Sequence, residues 1–381
     1  MSFIDRHPST VADYDEARRR ARLRETRLGH GWRRWRRTRL VALRSLGVLL
    51  VALLVFVQYW VHDVAPERER LARTDPALLP AHLPADARDW DTAVVDLVGL
   101  GGLDATPTAK ALPALSRFGV VWAVRYDNAG IDTKVIADMI VRAARYGNVR
   151  NIMLVGHSMG GVVALEVARH IHLGSDRRLV AVMLDCTPMD LDAVRPESRS
   201  RGADLVRLTG WLPGARESRL LRFAVEMAAR RERFAHPGAL LPDLDVPALR
   251  DVAAEVLRDK IFSKNAASNG LIEAQFLAIV AGGSAADLRA LARPQPGKQR
   301  PAIVFLRPRE AWRDRIVDVE YSHEVLIEHA GGVDGTLLVV MPRRTEHANP
   351  IQRPQEYNAI IDSQVLPFVR RYQEQIRNLP P

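Results

Sequence analysis

Cysteine is all but missing: Cys186 is the only one among 381 residues. No disulfide can form within the chain, and cysteine usage leaves the redox compartment open. Cys186 ends an apolar run and reads as a small buried residue. Metal-ligand patterns are also lacking. His323-Glu324 and Glu328-His329 lie close together, but Ile327 stands where a zinc-binding H-E-x-x-H would need its second histidine. There is no glycine-rich phosphate loop, internal repeat or extended low-complexity tract, so neither a cofactor nor a metal is expected. Aromatic residues make up only 6%, yet 47% of the chain is hydrophobic. At this length that suffices for one large core plus an appendage.

Acidic residues are scarce at one end. Residues 1–44 hold thirteen arginines against five acids, which is +8 of the chain's net +10. The basicity therefore belongs to a tail, and nucleic-acid binding by the globular part is not expected. The tail precedes the run LVALRSLGVLLVALLVFVQYWV at 40–61. Twenty-two helical residues span about 33 Å at 1.5 Å each, enough to cross a hydrocarbon core of roughly 30 Å. Arg44 is near enough to one end to snorkel, and Tyr59-Trp60 suit an interfacial aromatic belt. The arginine bias predicts a single-pass membrane segment with a cytoplasmic tail at 1–39 and the rest of the chain outside. Membrane lipids are thus expected partners of the N-terminal segment. A cleaved signal peptide is the competing reading, although no A-x-A-like site follows. Arg36-Arg37 hints at a twin-arginine signal, but Thr38-Arg39 lacks the apolar residues that such a signal carries next.

Residues 62–90 are rich in Pro, Arg, Asp and Glu and read as a juxtamembrane stalk. Apolar strands alternating with helices follow over 91–381, and this order predicts a mostly parallel sheet covered on both faces. Strands are expected at 93–98, 119–126, 151–155, 179–184, 302–306 and 336–341, with a last helix at 354–377. Residues 187–300 carry helical patterns and little strand signal.

One stretch carries chemistry. Val155-Gly156-His157-Ser158-Met159-Gly160-Gly161 lies between the apolar run at 151–155 and the helix-like Val162 to Ala168. It reads as strand, tight turn and helix with a serine at the apex. Side chains at Gly156 or Gly160 would collide with neighbouring backbone. The Gly99-Leu100-Gly101-Gly102 loop lies upstream, and His347 lies between the last strand and the last helix. In this order the chain from about 90 to 377 resembles the α/β-hydrolases of the lipase, esterase and thioesterase kind. The resemblance implies an α/β-hydrolase fold with a helical cap inserted at about 187–300. It further implies Ser158 as nucleophile, His347 as general base and a carboxylate to orient it. Asp314 follows the penultimate strand in the expected place; Asp318 and Asp185 are its rivals. The oxyanion would be held by the backbone N–H of Met159 and of Leu100, with Gly101 the alternative to Leu100. His157 is expected to be a structural residue of the turn, with its side chain directed away from Ser158. A serine at the apex argues against the dehalogenase and epoxide-hydrolase branches, which place Asp there. The implied function is a membrane-anchored hydrolase of carboxylic esters or thioesters, of lipid origin or otherwise. An acyltransferase using the same acyl-serine and a non-catalytic scaffold with this fold are the alternatives.

Overall fold

The computed structural model describes residues 19–20, 36–84, 86–236, 243–263, 265–332 and 335–377. Most of the expected basic tail lies outside them. The chain divides into two units, Met1–His62 and Asp63–Pro381. In the first, Arg36–Tyr59 forms one α-helix. Its aliphatic side chains from Leu40 to Val57 are exposed, and the helix is long and apolar enough to cross a membrane.

The second unit is built on a seven-stranded sheet. Its strands are β1 (Ala77–His82), β2 (Thr92–Leu97), β3 (Val120–Arg125), β4 (Asn151–His157), β5 (Arg178–Asp185), β6 (Ala302–Leu306) and β7 (Leu337–Val340). They lie in the order β1-β3-β2-β4-β5-β6-β7, with β1 antiparallel to β3 and all other pairs parallel. Because strand side chains alternate between faces, the two halves of each strand's apolar set enter different cores. Ile152 and Leu154 of β4 pack with the helices Thr133–Tyr146 and Met159–Gly174 on one face. Met153 and Val155 pack with Leu112, Leu115 and the C-terminal Tyr357–Val369 segment on the other. Burial on both faces explains why the central strands are almost unbroken apolar runs.

Two expected boundaries are corrected. The segment 62–90 is not a stalk: it holds the helix Ala65–Leu71, with Leu71 buried, and the whole of β1. Pro80 is what conceals β1, since proline cannot donate to a ladder. At a sheet edge that missing N–H costs nothing. The insertion between β5 and β6 also has two parts. The helices Arg219–Ala229 and Val246–Val256 share a small core of their own around Phe234, Val252 and Val256. By contrast, Asn269–Val280 and Ser284–Leu291 bury Leu271, Ile272, Leu288 and Leu291 in the main core. Arg169 of the Met159–Gly174 helix donates to Asp287 at 2.6 Å. These last two helices thus belong to the layer flanking the sheet.

Candidate active site

At the C-terminal end of β4 the chain reverses directly into the Met159–Gly174 helix, with Ser158 between them at φ 54° and ψ −125°. A non-glycine residue in this region is strained and persists only where its surroundings hold it. The holding contacts are visible. The Ser158 N–H donates to the Asp185 carbonyl at 2.7 Å, and its carbonyl accepts from the Gly161 N–H at 2.9 Å. A Cβ on Gly156 would lie 2.5 Å from Gly160 O, and one on Gly160 would lie 2.4 Å from Leu97 O. The turn closes only because both are glycine.

His347 lies in the loop between β7 and the Pro354–Ile360 helix. Its Nε2 is 2.8 Å from Ser158 Oγ, and its Nδ1 is 2.8 Å from Asp314 Oδ2. The carboxylate requires a proton on Nδ1, so Nε2 offers its lone pair to the serine hydroxyl. Asp314 is fully buried, and its other oxygen accepts from the N–H groups of Ile316 (2.9 Å) and Val317 (2.8 Å). Arg195 donates to the Asp314 carbonyl at 2.7 Å and so braces the same turn.

The rival carboxylates lie elsewhere. Asp318 caps the Val319–Ala330 helix, accepting from Glu320 and Tyr321 N–H. Asp185 meets His157 Nδ1 at 2.8 Å. His157 itself is buried and directed away from Ser158 Oγ, toward Asp185 and Asp96. His323 and His329 sit on the Val319–Ala330 helix. The Cys186 thiol is buried beside the site, and burial, with Asp185 and Asp314 nearby, pushes its pKa well up. It stays a protonated thiol at neutral pH and offers no competing nucleophile.

On the other side of Ser158 runs the 99–102 loop. A Cβ on Gly99 would be 3.2 Å from Ser158 Cβ, so the loop passes directly against the serine. The Gly101 N–H is taken by Gln275 Oε1 at 2.8 Å, and Gln275 Nε2 donates to Gly102 O at 2.7 Å. That leaves the Leu100 N–H as the loop's candidate donor, opposite Met159 at the first turn of its helix. Sequence reasoning missed Gln275. Its signal is a fully buried amide in the Leu271–Val280 stretch, where Glu273 is the only other polar residue, 174 residues from the loop that it holds.

A cavity of about 470 Å³ opens onto Ser158 and His347. Its walls are largely apolar, formed by Val98 and Leu100, by Leu205, by Phe276 and Ile279, and by Ile316 and Ile351. The Pro196–Trp211 and Asn269–Val280 helices thus roof the serine. Gly202 allows this approach, since a Cβ there would lie 2.1 Å from the Phe276 ring.

No protein-family model matches the chain, and no curated protein does. Solved structures similar to it include a carboxylesterase of Nitrososphaera gargenis, at 15% identity over 77% of this chain and 95% of that one, with a TM-score of 0.49. Another is an aryl esterase of Burkholderia cenocepacia, termed putative by its investigators, at 15% identity, 77% and 95% coverage and a TM-score of 0.48. A bacterial membrane phospholipase A is similar at 18% identity over 88% of this chain and 99% of that one, with a TM-score of 0.46. The assignment of fold rests on the molecule's own topology. A sheet with one antiparallel edge strand and six parallel strands, turning at a strained serine after its central strand, gives this chain the α/β-hydrolase fold.

Proposed function

We propose that this protein is a membrane-anchored serine hydrolase that cleaves carboxylic esters or thioesters through an acyl-serine intermediate. The observation that carries the reading is His347, which lies 2.8 Å from both Ser158 and Asp314 at the mouth of an apolar cavity. In this reading Ser158 Oγ attacks the carbonyl carbon while His347 Nε2 takes its proton, and Asp314 stabilises the resulting imidazolium. The Met159 and Leu100 N–H groups receive the oxyanion, and His347 then protonates the departing alcohol or thiol. Water repeats the cycle on the acyl-serine.

The apolar lining supports a hydrocarbon acyl chain, and the Arg36–Tyr59 helix supports work at a lipid surface. Of the helices between β5 and β6, Pro196–Trp211, Arg219–Ala229 and Val246–Val256 serve as the cap. The span 40–61 is the anchor, with the arginine-rich 1–39 segment on the cytoplasmic side and the catalytic unit outside. The reading is tested by fluorophosphonate labelling of the full chain and of Ser158→Ala. Labelling and turnover of graded acyl esters are expected in the wild type and absent in the variant. Labelling that persists undiminished in Ser158→Ala refutes it.

A further inference from the structure

A second polar assembly lies beneath the serine, and nothing in the acyl-transfer chemistry above makes use of it. His157, 3% exposed, sits at the end of β4 between two buried carboxylates. Its Nδ1 is 2.8 Å from Asp185 Oδ2 at the end of β5, and its Nε2 is 3.0 Å from Asp96 Oδ1 on β2. The second contact is an ion pair without hydrogen-bond alignment, because neither Nε2 nor Oδ1 has a hydrogen-bond partner. A neutral imidazole has one N–H and one lone pair. Either tautomer would turn that lone pair toward a buried carboxylate oxygen at 3.0 Å or less. Protons on both nitrogens remove the conflict and offset one of the two buried charges.

The assembly reaches both sides of the proposed active site. Tyr357 Oη donates to Asp185 Oδ1 at 3.0 Å and in turn accepts the N–H of Asn349, two residues beyond His347, at 3.2 Å. The Asp185 carbonyl holds the Ser158 N–H at 2.7 Å. On the other side, Asp96 Oδ2 is 2.6 Å from Thr108 Oγ1, and the chain runs from Asp96 through Leu97 and Val98 into the 99–102 loop. The remaining titratable neighbours stay neutral. Burial raises Tyr126, with Asp96 adding to it, and burial raises Tyr357 and Cys186, with Asp185 adding to both. For His157 burial favours the neutral form, but the two carboxylates outweigh it and its pKa is pushed up to about 10.

We infer that His157 is a positioning residue: as an imidazolium it binds Asp96 and Asp185 together under Ser158 and, through Tyr357, sets the loop that carries His347. The inference rests on the reading of Ser158 and His347 given above. Its charge state, however, is measurable without any substrate.

The test joins two measurements on the full chain in detergent micelles. Ring-nitrogen NMR of ¹⁵N-histidine-labelled protein, with the His157 signals identified by their loss in His157→Gln, should show the shifts of an imidazolium throughout the neutral range. Tyr357→Phe removes only the hydroxyl link to the His347 loop. It should lower kcat and the rate of fluorophosphonate labelling of Ser158 by about tenfold or more, with KM little changed, because a small misplacement of the base is costly. A merely structural role would lower thermal stability and leave the labelling rate of the folded protein intact. Neutral-imidazole shifts for His157, or a folded Tyr357→Phe variant that labels within twofold of wild type, would overturn the inference. Wild-type protein that neither labels nor turns over esters would instead overturn the hydrolase reading, and the positioning role with it. Imidazolium shifts in that case would keep only the buried charge.

Discussion

Replacing Gln275 with Leu isolates the support of the 99–102 loop from the reacting groups. The side chain is fully buried and makes two hydrogen bonds to the loop, at 2.8 Å to the Gly101 N–H and 2.7 Å to the Gly102 carbonyl. Leucine is of similar size but leaves both groups unpaired in a site closed by the cap helices. With a penalty of about 1–3 kcal/mol for each of the two groups left without a partner, the loss of stability should be about 2–6 kcal/mol. The kinetic effect has an upper bound. Complete loss of one oxyanion donor costs about 10²–10³ in kcat. Leu100 keeps its N–H in the variant and loses only its fixed direction, so the expected fall is roughly ten- to a hundredfold with KM near its original value. Stopped-flow turnover of a p-nitrophenyl ester, with thermal unfolding followed in parallel, measures both quantities. A folded variant with kcat within twofold of wild type would refute the argument that Gln275 directs the donor. A raised KM at unchanged kcat would place Gln275 in substrate binding instead.

The other predictions bear on the acid, the buried imidazolium, the cavity and the topology. Asp314→Asn should lower kcat by about 10⁴ with little change in KM. Asp318→Asn, altering only a helix cap, should leave kcat intact, and the reverse pattern would exchange the two roles. The folded pKa of His157 lies above its ordinary value of 6.5, so the stabilisation it supplies is complete below that pH and is lost as pH rises through about 10. Denaturant unfolding from pH 7 to 10 should therefore show falling stability in wild type and a flatter profile in His157→Gln. Gly202→Ala places a methyl against the Phe276 ring, and both residues line the cavity. Overpacking of this kind costs about 1–3 kcal/mol, and the preferred ester chain length should shorten. An unchanged chain-length profile would detach that wall from specificity. Cys186 is buried and Tyr146 is 97% exposed, so Tyr146→Cys gives a clean labelling site. A membrane-impermeant maleimide should modify it in intact cells and leave Ser2→Cys untouched, and the opposite result inverts the proposed topology.

Much of the sheet is legible in the sequence because burial on both faces writes each parallel strand as an apolar run. Residues 151–155 and 302–306 read directly as strands, and both lie within strands of the sheet. β1 is not legible, since Pro80 interrupts the pattern and only its edge position permits it. The two helices at 269–291 read as cap because their apolar faces do not reveal which layer receives them. The same division runs through the site. The turn around Ser158 is local, dictated by glycines whose neighbours are three to five residues away or on the adjoining strand, and it can be read from spacing alone. Asp314, Asp318 and Asp185 all follow a strand or cap a helix, and each has the chemistry to orient an imidazole. Only the tertiary structure brings one of them to His347, because that contact depends on how β6 and β7 lie beside β5. The enclosure of His157 by Asp96 and Asp185, and the grip of Gln275 on the 99–102 loop, join positions that no periodicity connects. The sequence by itself determined the strand faces, the apolar N-terminal helix and the strained serine, all products of local pattern. Which carboxylate meets the histidine, and which buried groups hold the serine and the loop in place, was decided by long-range packing.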